Sequence, residues 1–541
     1  MRSTKSARWA SDVIATEASA FRVTPLRIRQ GGHRSVLPVG RHVVLMIAVC
    51  LAVLFGSASL LSAQERPPKS LRQKTERFQL HAQRWHRVSE IMRDFEPLMK
   101  AGQFTHAEEL IERALSVLET GTDPQVAKRL QKFRRQTNET QYLVLPVPEA
   151  GHLHGGNIEA FEKGIVRTKQ QLGPVNDPAK RNWGFHLIIP AWRFDPEHLF
   201  SDQASPNIIE RAVDGAIKIA LKHDVAVYIT VENLEWENRP DLWNFHDKDR
   251  PGYDPDNVQN VEWMDWDGTP HPHRYRDWGR PEQMSPVICY NSPTVRQEVS
   301  RLAEQVIGPP IAAGLKKLAD AGKPHLFAGV TVGAEPALPN YAVIGKVNPR
   351  IAEKMDQDGV PRKRLGYNAL TNLGYSEDNP PKDFATALAK VNQDYISLWA
   401  RHLAKGGVPS NKMYSHVAAG AGVVGSPGVE FTNAPISIAF AESCRPGWTT
   451  YPVGPLQHDF GVLYEALSAH DNPPWASTEA TPTGFGPGGT SMREYLQRHF
   501  DYGATAVVFN TGATDPEFAQ RLNQAVWGDD AIEAYRKFIG K

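Results

Sequence analysis

Two glutamates end short apolar runs: Glu335 closes VTVGAE (330–335) and Glu479 closes PWASTE (474–479). An apolar run that delivers a carboxyl also makes it costly to ionise. Two such carboxyls facing each other can therefore hold different protonation states and divide acid from base work. Acetal cleavage needs that division: one carboxyl protonates the leaving oxygen and the other attacks or activates water. Further reactive or hydrogen-bonding side chains end or follow neighbouring runs. Glu149, His152 and His154 lie in PEAGHLHGGN, Trp192 and Arg193 end FHLIIPAWR, and Glu232, Asn233 and Glu235 end VAVYITVENLE. His416 lies within MYSHVAAG, Glu442 follows ISIAFA, Trp448 and Tyr451 come soon after it, and Asn510 ends TAVVFN. A single glutamate at such a position is usually a solvated loop residue, so the weight rests on Glu335 and Glu479 together.

These residues need a scaffold that brings run ends together. Eight apolar runs, at 142–147, 185–192, 225–231, 326–333, 413–420, 436–441, 474–479 and 505–510, read as strands. Helical stretches separate them. NIIERAVDGAIKIALKHD (207–224) puts Ile209, Val213, Ile217 and Leu221 on one face. Ser292 with Pro293 opens another helix, and Ser491 with Glu494 has capping-box spacing. Strand and helix in alternation predict a parallel sheet, and eight units over 141–541 predict a (β/α)8 TIM barrel with long loops. An open doubly wound sheet is disfavoured, because no Gly-rich phosphate loop follows the first run. In a barrel the carboxyl ends of the strands share one mouth, and runs four and seven would face each other across it.

The remainder of the chain bounds the function. Of 541 residues, 61 are Lys or Arg and 60 are Asp or Glu, a balance that argues against nucleic-acid binding. Residues 43–55, VVLMIAVCLAVLF, follow Arg34 and Arg41 and precede small residues ending LSA. That pattern predicts a secretory signal cut after Ala63, or an anchor if 43–63 is retained. The expected location is periplasmic or extracellular, with membrane contact only through a retained anchor. Cys289 and Cys444 then permit at most one disulfide, and no CxxC metal motif occurs. Residues 64–140 read as a linker, QERPPK, and a helical segment. Within it AGQFTHAEELIERALSVLE (101–119) is similar to one hairpin of a tetratricopeptide repeat, with small residues at Ala107 and Ala114. One unit cannot bury its own face, so a helical cap is expected, with a protein partner as the other use.

With the two glutamates at the ends of runs four and seven, the chain resembles the clan of retaining β-glycosidases built on (β/α)8 barrels. The resemblance is one of architecture and position over 141–541. It implies Glu335 as general acid/base, Glu479 as nucleophile, a carbohydrate substrate and no cofactor. Trp192, Arg193, Glu232, Asn233, His416, Glu442, Asn510, Trp448, His152 and His154 are the expected substrate-binding residues, with Arg193 or His416 holding Glu479 ionised. The sequence departs from the clan at Ala334, where an Asn usually precedes the acid. GAEPALPNY is also similar to the stretch around the acid of inverting β-amylases. Two other readings stand beside these. His152-Leu153-His154 with His416 resembles the metal site of amidohydrolase barrels, although Glu442 and Asn510 occupy two of its ligand places. A non-catalytic carbohydrate-binding barrel is the third. The Trp- and His-rich insert at 257–283 is expected to supply either sugar-stacking rings or a small core of its own.

Overall fold

The computed structural model describes residues 84–541 apart from 86, 121–122, 196–206, 421, 423–425, 454–455, 457–458, 483–489, 513–515 and 541. The expected signal (43–63) and linker (64–69) lie outside the described residues. Among the described residues, no helix is long and apolar enough to cross a membrane.

Eight strands close into a parallel barrel in chain order. They are β1 Gln141–Leu145, β2 Arg181–Pro190, β3 Ala226–Glu232 and β4 Phe327–Ala334. The ring continues with β5 Met413–Ala418, β6 Gly447–Thr449, β7 Trp475–Ala480 and β8 Ala504–Phe509, which pairs with β1. The expected TIM barrel is the observed fold. The period-two alternation of a strand gives it two cores. Outward residues, such as Trp183, Phe185, Leu187 and Ile189 of β2, pack under the helices. Inward residues form a separate cluster: Tyr142, Tyr228 and Tyr414 interleave with Ala226, Ala328, Ala476 and Ala506. Three large rings fit one barrel lumen only because the facing positions are small. The Tyr228 and Tyr414 hydroxyls bond Thr331 and Thr505 at 2.9 and 2.8 Å, so these interior polar groups are satisfied.

The cap signals act as expected. Ser292 accepts the Val295 N–H and Ser491 accepts that of Glu494, opening helices Pro293–Arg301 and Met492–Phe500. The helical segment before the barrel includes helices Phe104–Thr120 and Pro124–Gln131. Ala107 and Ala114 are buried there. Arg129 bridges to Asp459 at 2.8 Å, and Arg135 donates to the carbonyl of Pro473 at 2.6 Å.

One strand assignment is corrected. Residues 436–441 form no strand: Ile436–Ala439 is a 3-10 turn after Pro435, and the sixth strand is Gly447–Thr449. A six-residue apolar run can be a buried turn as well as a strand. The real strand is three residues long, too short to show a period.

The insert between β3 and β4 is long and internally packed. Trp236, Trp243 and Trp263 are buried within it, together with His271 and Tyr275. A hairpin, Arg274–Asp277 with Pro281–Met284, is braced on the loop after β4 by the Tyr341 hydroxyl, which accepts the Tyr275 N–H at 3.0 Å. Most of the aromatics therefore hold the insert together. Trp278, in the hairpin turn, is half exposed.

Candidate active site at the barrel mouth

Register sets the site. Ala334 of β4 lies opposite His416 of β5, and Thr449 of β6 lies opposite Glu479 of β7. Glu335 follows Ala334 directly and donates its N–H to the His416 carbonyl at 2.8 Å. The four side chains Glu335, His416, Thr449 and Glu479 thus stand at one level of the ring. The backbone at Glu335 is strained: its φ is +39°, a region that side-chain-bearing residues avoid. Gly333, two residues earlier, has φ +63°, and a Cβ there would come within 2.8 Å of the Ile396 Cα. β4 therefore turns sharply as it ends, aiming the Glu335 carboxyl across the mouth. Strain of this kind costs roughly 1–3 kcal/mol and concentrates at functional positions.

His416 lies between the two carboxylates. Its Nε2 is 3.5 Å from Glu335 Oε1, 3.4 Å from Glu479 Oε2 and 2.7 Å from Thr449 Oγ1. Thr449 in turn donates its hydroxyl to Glu335 Oε1 at 2.6 Å. Glu479 Oε1 accepts the Asn510 amide at 2.9 Å and the Tyr451 hydroxyl. The carboxyls open toward the mouth, with side-chain exposures of 36% for Glu335 and 23% for Glu479, whereas His416 is buried.

Different surroundings give the two carboxyls different proton affinities. Burial, with the Glu479 charge adding to it, pushes Glu335 above the usual carboxylate range against the pull of His416. Burial also acts against Glu479. There the bond and charge of His416, with the donors Tyr451 and Asn510, outweigh it and hold the carboxyl below the usual range. Burial disfavours a charged His416, but the bond to Glu479 and the charges of Glu335, Glu479 and Glu232 overcome it and raise its affinity for a proton.

The other expected residues divide. Asn510 and His416 join the cluster. Glu232, at the end of β3, accepts the Leu234 N–H at 2.7 Å, and burial pushes its carboxyl up to about 7. Asn233 is fully buried and accepts the Ala334 N–H at 2.8 Å, so it braces the end of β4. Trp192 and Trp448 are fully buried in the layer beneath the helices and show no open ring face. Their N–H groups go to the carbonyls of Asn233 and Ile436. Glu442 does not reach the mouth: it is 70% exposed and pairs with Arg401 at 2.8 Å. Its expected place followed from the misplaced sixth strand. Arg193 lies over the Phe194 ring, which also meets His154, and the His154 Nε2 contacts the Ile188 carbonyl at 3.0 Å. His152 is exposed. Neither histidine of the HxH pair enters the cluster, so the amidohydrolase-like set is not assembled. Among the described residues, Glu335, His416 and Glu479 are the one group of metal-ligating residue types gathered closely, with one donor atom from each within 4.8 Å of the others.

Three neighbours were not anticipated in these roles. Thr449 was hidden by the misplaced strand. Tyr451 follows the sixth apolar run, but nothing in the sequence singles out its hydroxyl as a donor to Glu479. His186, in the middle of β2, points into the lumen and meets Thr230 Oγ1 at 2.7 Å; burial lowers it to about 4, so it is neutral near pH 7. Its signal was a polar residue at an inward position of FHLIIPAW.

The fold and site define a (β/α)8 barrel with paired, differently tuned carboxyls at the carboxyl ends of β4 and β7. No family model and no curated protein matches the chain. Among solved structures it is similar to the catalytic domain of a beta-amylase from Paenibacillus polymyxa, at 11% identity and TM-score 0.40, covering 75% of this chain and 99% of that one. It is also similar to a beta-galactosidase from the psychrophilic Marinomonas ef1, at 9% identity and TM-score 0.40, covering 74% of this chain and 59% of that one.

Proposed function

We propose that this chain is a glycoside hydrolase, exported from the cell, that cleaves the O-glycosidic bonds of a poly- or oligosaccharide. The observation that carries this reading is the carboxyl pair itself, Glu335 and Glu479, which approach oxygen to oxygen within 4.8 Å at one barrel mouth. Glu335, with its proton held by burial, is the general acid that protonates the departing oxygen. Glu479, held ionised by its donors, attacks the anomeric carbon from the opposite face. Water, deprotonated by Glu335, then releases the sugar and restores both groups. A closest oxygen approach within 4.8 Å is compatible with the roughly 5–5.5 Å between carboxyls that a nucleophile needs; an inverting water needs roughly 6.5–9.5 Å. Glu232, His186 and Asn510 border the space the reacting sugar would occupy.

The test is release of reducing ends from a panel of polysaccharides and aryl glycosides by the wild-type chain and by Glu479→Gln. The expected result is turnover that this substitution abolishes while folding is retained. Turnover that persists in Glu479→Gln, or is lost on treatment with a chelator, would reject the assignment.

A further inference from the structure

The two-carboxylate scheme does not by itself require a histidine, yet the site has one at nearly equal distances, 3.5 and 3.4 Å, from both carboxyls. We propose that His416 is a positioning residue that carries a fixed positive charge between the carboxyls, countering Glu479 in the free enzyme and Glu335 once Glu479 has become an ester. This rests on the glycosidase reading above.

The argument is charge balance through the two half-reactions. In the free enzyme Glu335 is protonated, Glu479 is an anion and His416 is a cation, so the three groups sum to zero. In the first step the C–O bond to the leaving group breaks as the Glu479 oxygen bonds to the anomeric carbon, and the Glu335 proton passes to the leaving oxygen. Glu479 is then a neutral ester, Glu335 is an anion and His416 is still a cation, and the sum is again zero. In the second step water gives its proton to Glu335 and its oxygen to the anomeric carbon, freeing Glu479 as an anion. The negative charge has crossed the mouth and returned without ever being left alone in a poorly solvated site, where an unpaired charge is costly. A cation close to only one carboxyl would serve only one of these steps.

The local contacts favour this role. The imidazole is held by its strand and by Thr449, whose hydroxyl both meets Nε2 and donates to Glu335. The bond to Glu479 and the charges of Glu335, Glu479 and Glu232 favour its proton, and burial opposes it. From β2 the facing group is His186, neutral near pH 7. From the segment after β6 it is the Tyr451 hydroxyl, whose proton is held by burial and by the Glu479 charge. Against the charge, Nδ1 is buried with no hydrogen-bond partner among the described residues, so the carboxylates on the Nε2 side alone counter it.

Two measurements test it. The first needs no substrate: NMR titration of the full chain with labelled histidine, the His416 signal being assigned by its loss in His416→Gln. His416 should titrate above the ordinary histidine range and move down by at least one pH unit in Glu479→Gln. Titration at or below the ordinary range, or no movement in Glu479→Gln, overturns the proposal and leaves the glycosidase reading intact. The second is the pH profile of kcat/KM on an aryl glycoside that the wild type cleaves. In His416→Gln the acidic limb, set by Glu479, should move up by at least one unit; an equal loss of rate at every pH, with the limbs unmoved, marks a merely structural histidine and overturns it. If no glycoside is cleaved by the wild type, the glycosidase reading fails, and the proposal that rests on it fails too, whatever the first measurement shows.

Discussion

The barrel mouth holds two half-buried glutamates and the β3–β4 insert a fully buried one, and they hold them in opposite ways. In the insert Glu262 is fully buried; Oε2 takes the Ala369 N–H at 3.5 Å, while Oε1 has no hydrogen-bond partner among the described residues. The buried Cys289 thiol and the backbone N–H groups of Gly366 and Trp263 also face it, but they carry no charge and burial outweighs them, pushing the carboxyl up to about 8. At the mouth, Glu479 also sits among protein atoms, but an imidazole, a phenol and an amide converge on it from three segments. Depth alone keeps a carboxyl neutral, and converging donors keep it charged. The insert shows what a strand-end glutamate would be without His416: a protonated group serving packing. Of these two regions, the mouth is the one that combines both states, in carboxyls that face each other.

Four substitutions break or sharpen this contrast. The largest effect is expected at the charged carboxyl: Glu479→Gln should lower kcat by roughly 10⁴-fold or more, as removal of a nucleophile commonly does, measured on any cleaved glycoside. Next, Glu335→Gln should cost about 10²–10⁴-fold on substrates with poor leaving groups, because the proton donor is lost. With an activated aryl leaving group the first step should recover, and steady-state rates should then report deglycosylation. A uniform loss across leaving groups would argue against an acid role. Third, Gly333→Ala should destabilise the chain by roughly 1–3 kcal/mol, because the new methyl meets Ile396 in a left-handed backbone region. Chemical denaturation measures this, and residual activity should fall with it as Glu335 is turned away.

The smallest effect is expected in the insert. Glu262 keeps a proton in the folded state that the unfolded chain releases above the ordinary carboxylate range. The folded state therefore binds more protons, and stability falls as pH rises toward about 8, then levels off. The slope is at most roughly 1.4 kcal/mol per pH unit. Glu262→Gln should flatten this dependence in denaturation curves taken between pH 5 and 8 and leave activity unchanged. An unaltered slope would contradict the neutral assignment.

The fold was largely legible because its signals are long: helices with caps such as Ser292 and Ser491, and apolar runs bounded by turns. The positions of Glu335 and Glu479 followed from the carboxyl ends of two such runs. What was lost had local causes. A three-residue strand at Gly447–Thr449 carries no period, so Thr449 went unseen and Glu442 was put in its place. Trp192 and Trp448 sit at or near strand ends, but alternation turns their rings outward, and one residue of register decides that. The role of His416 depends on its cross-strand neighbours, which no linear pattern contains. The Trp cluster of the insert could not be assigned by composition, because sugar platforms and small cores use the same residues.

The most direct test of the central claim is covalent capture. Activated 2-deoxy-2-fluoro glycosides slow the release step of a retaining enzyme, and peptide mass mapping then finds the residue that carries the sugar. The account predicts a single glycosyl ester on Glu479, absent from Glu479→Gln. Capture on another carboxylate, or hydrolysis of natural glycosides with inversion and no adduct, would contradict it.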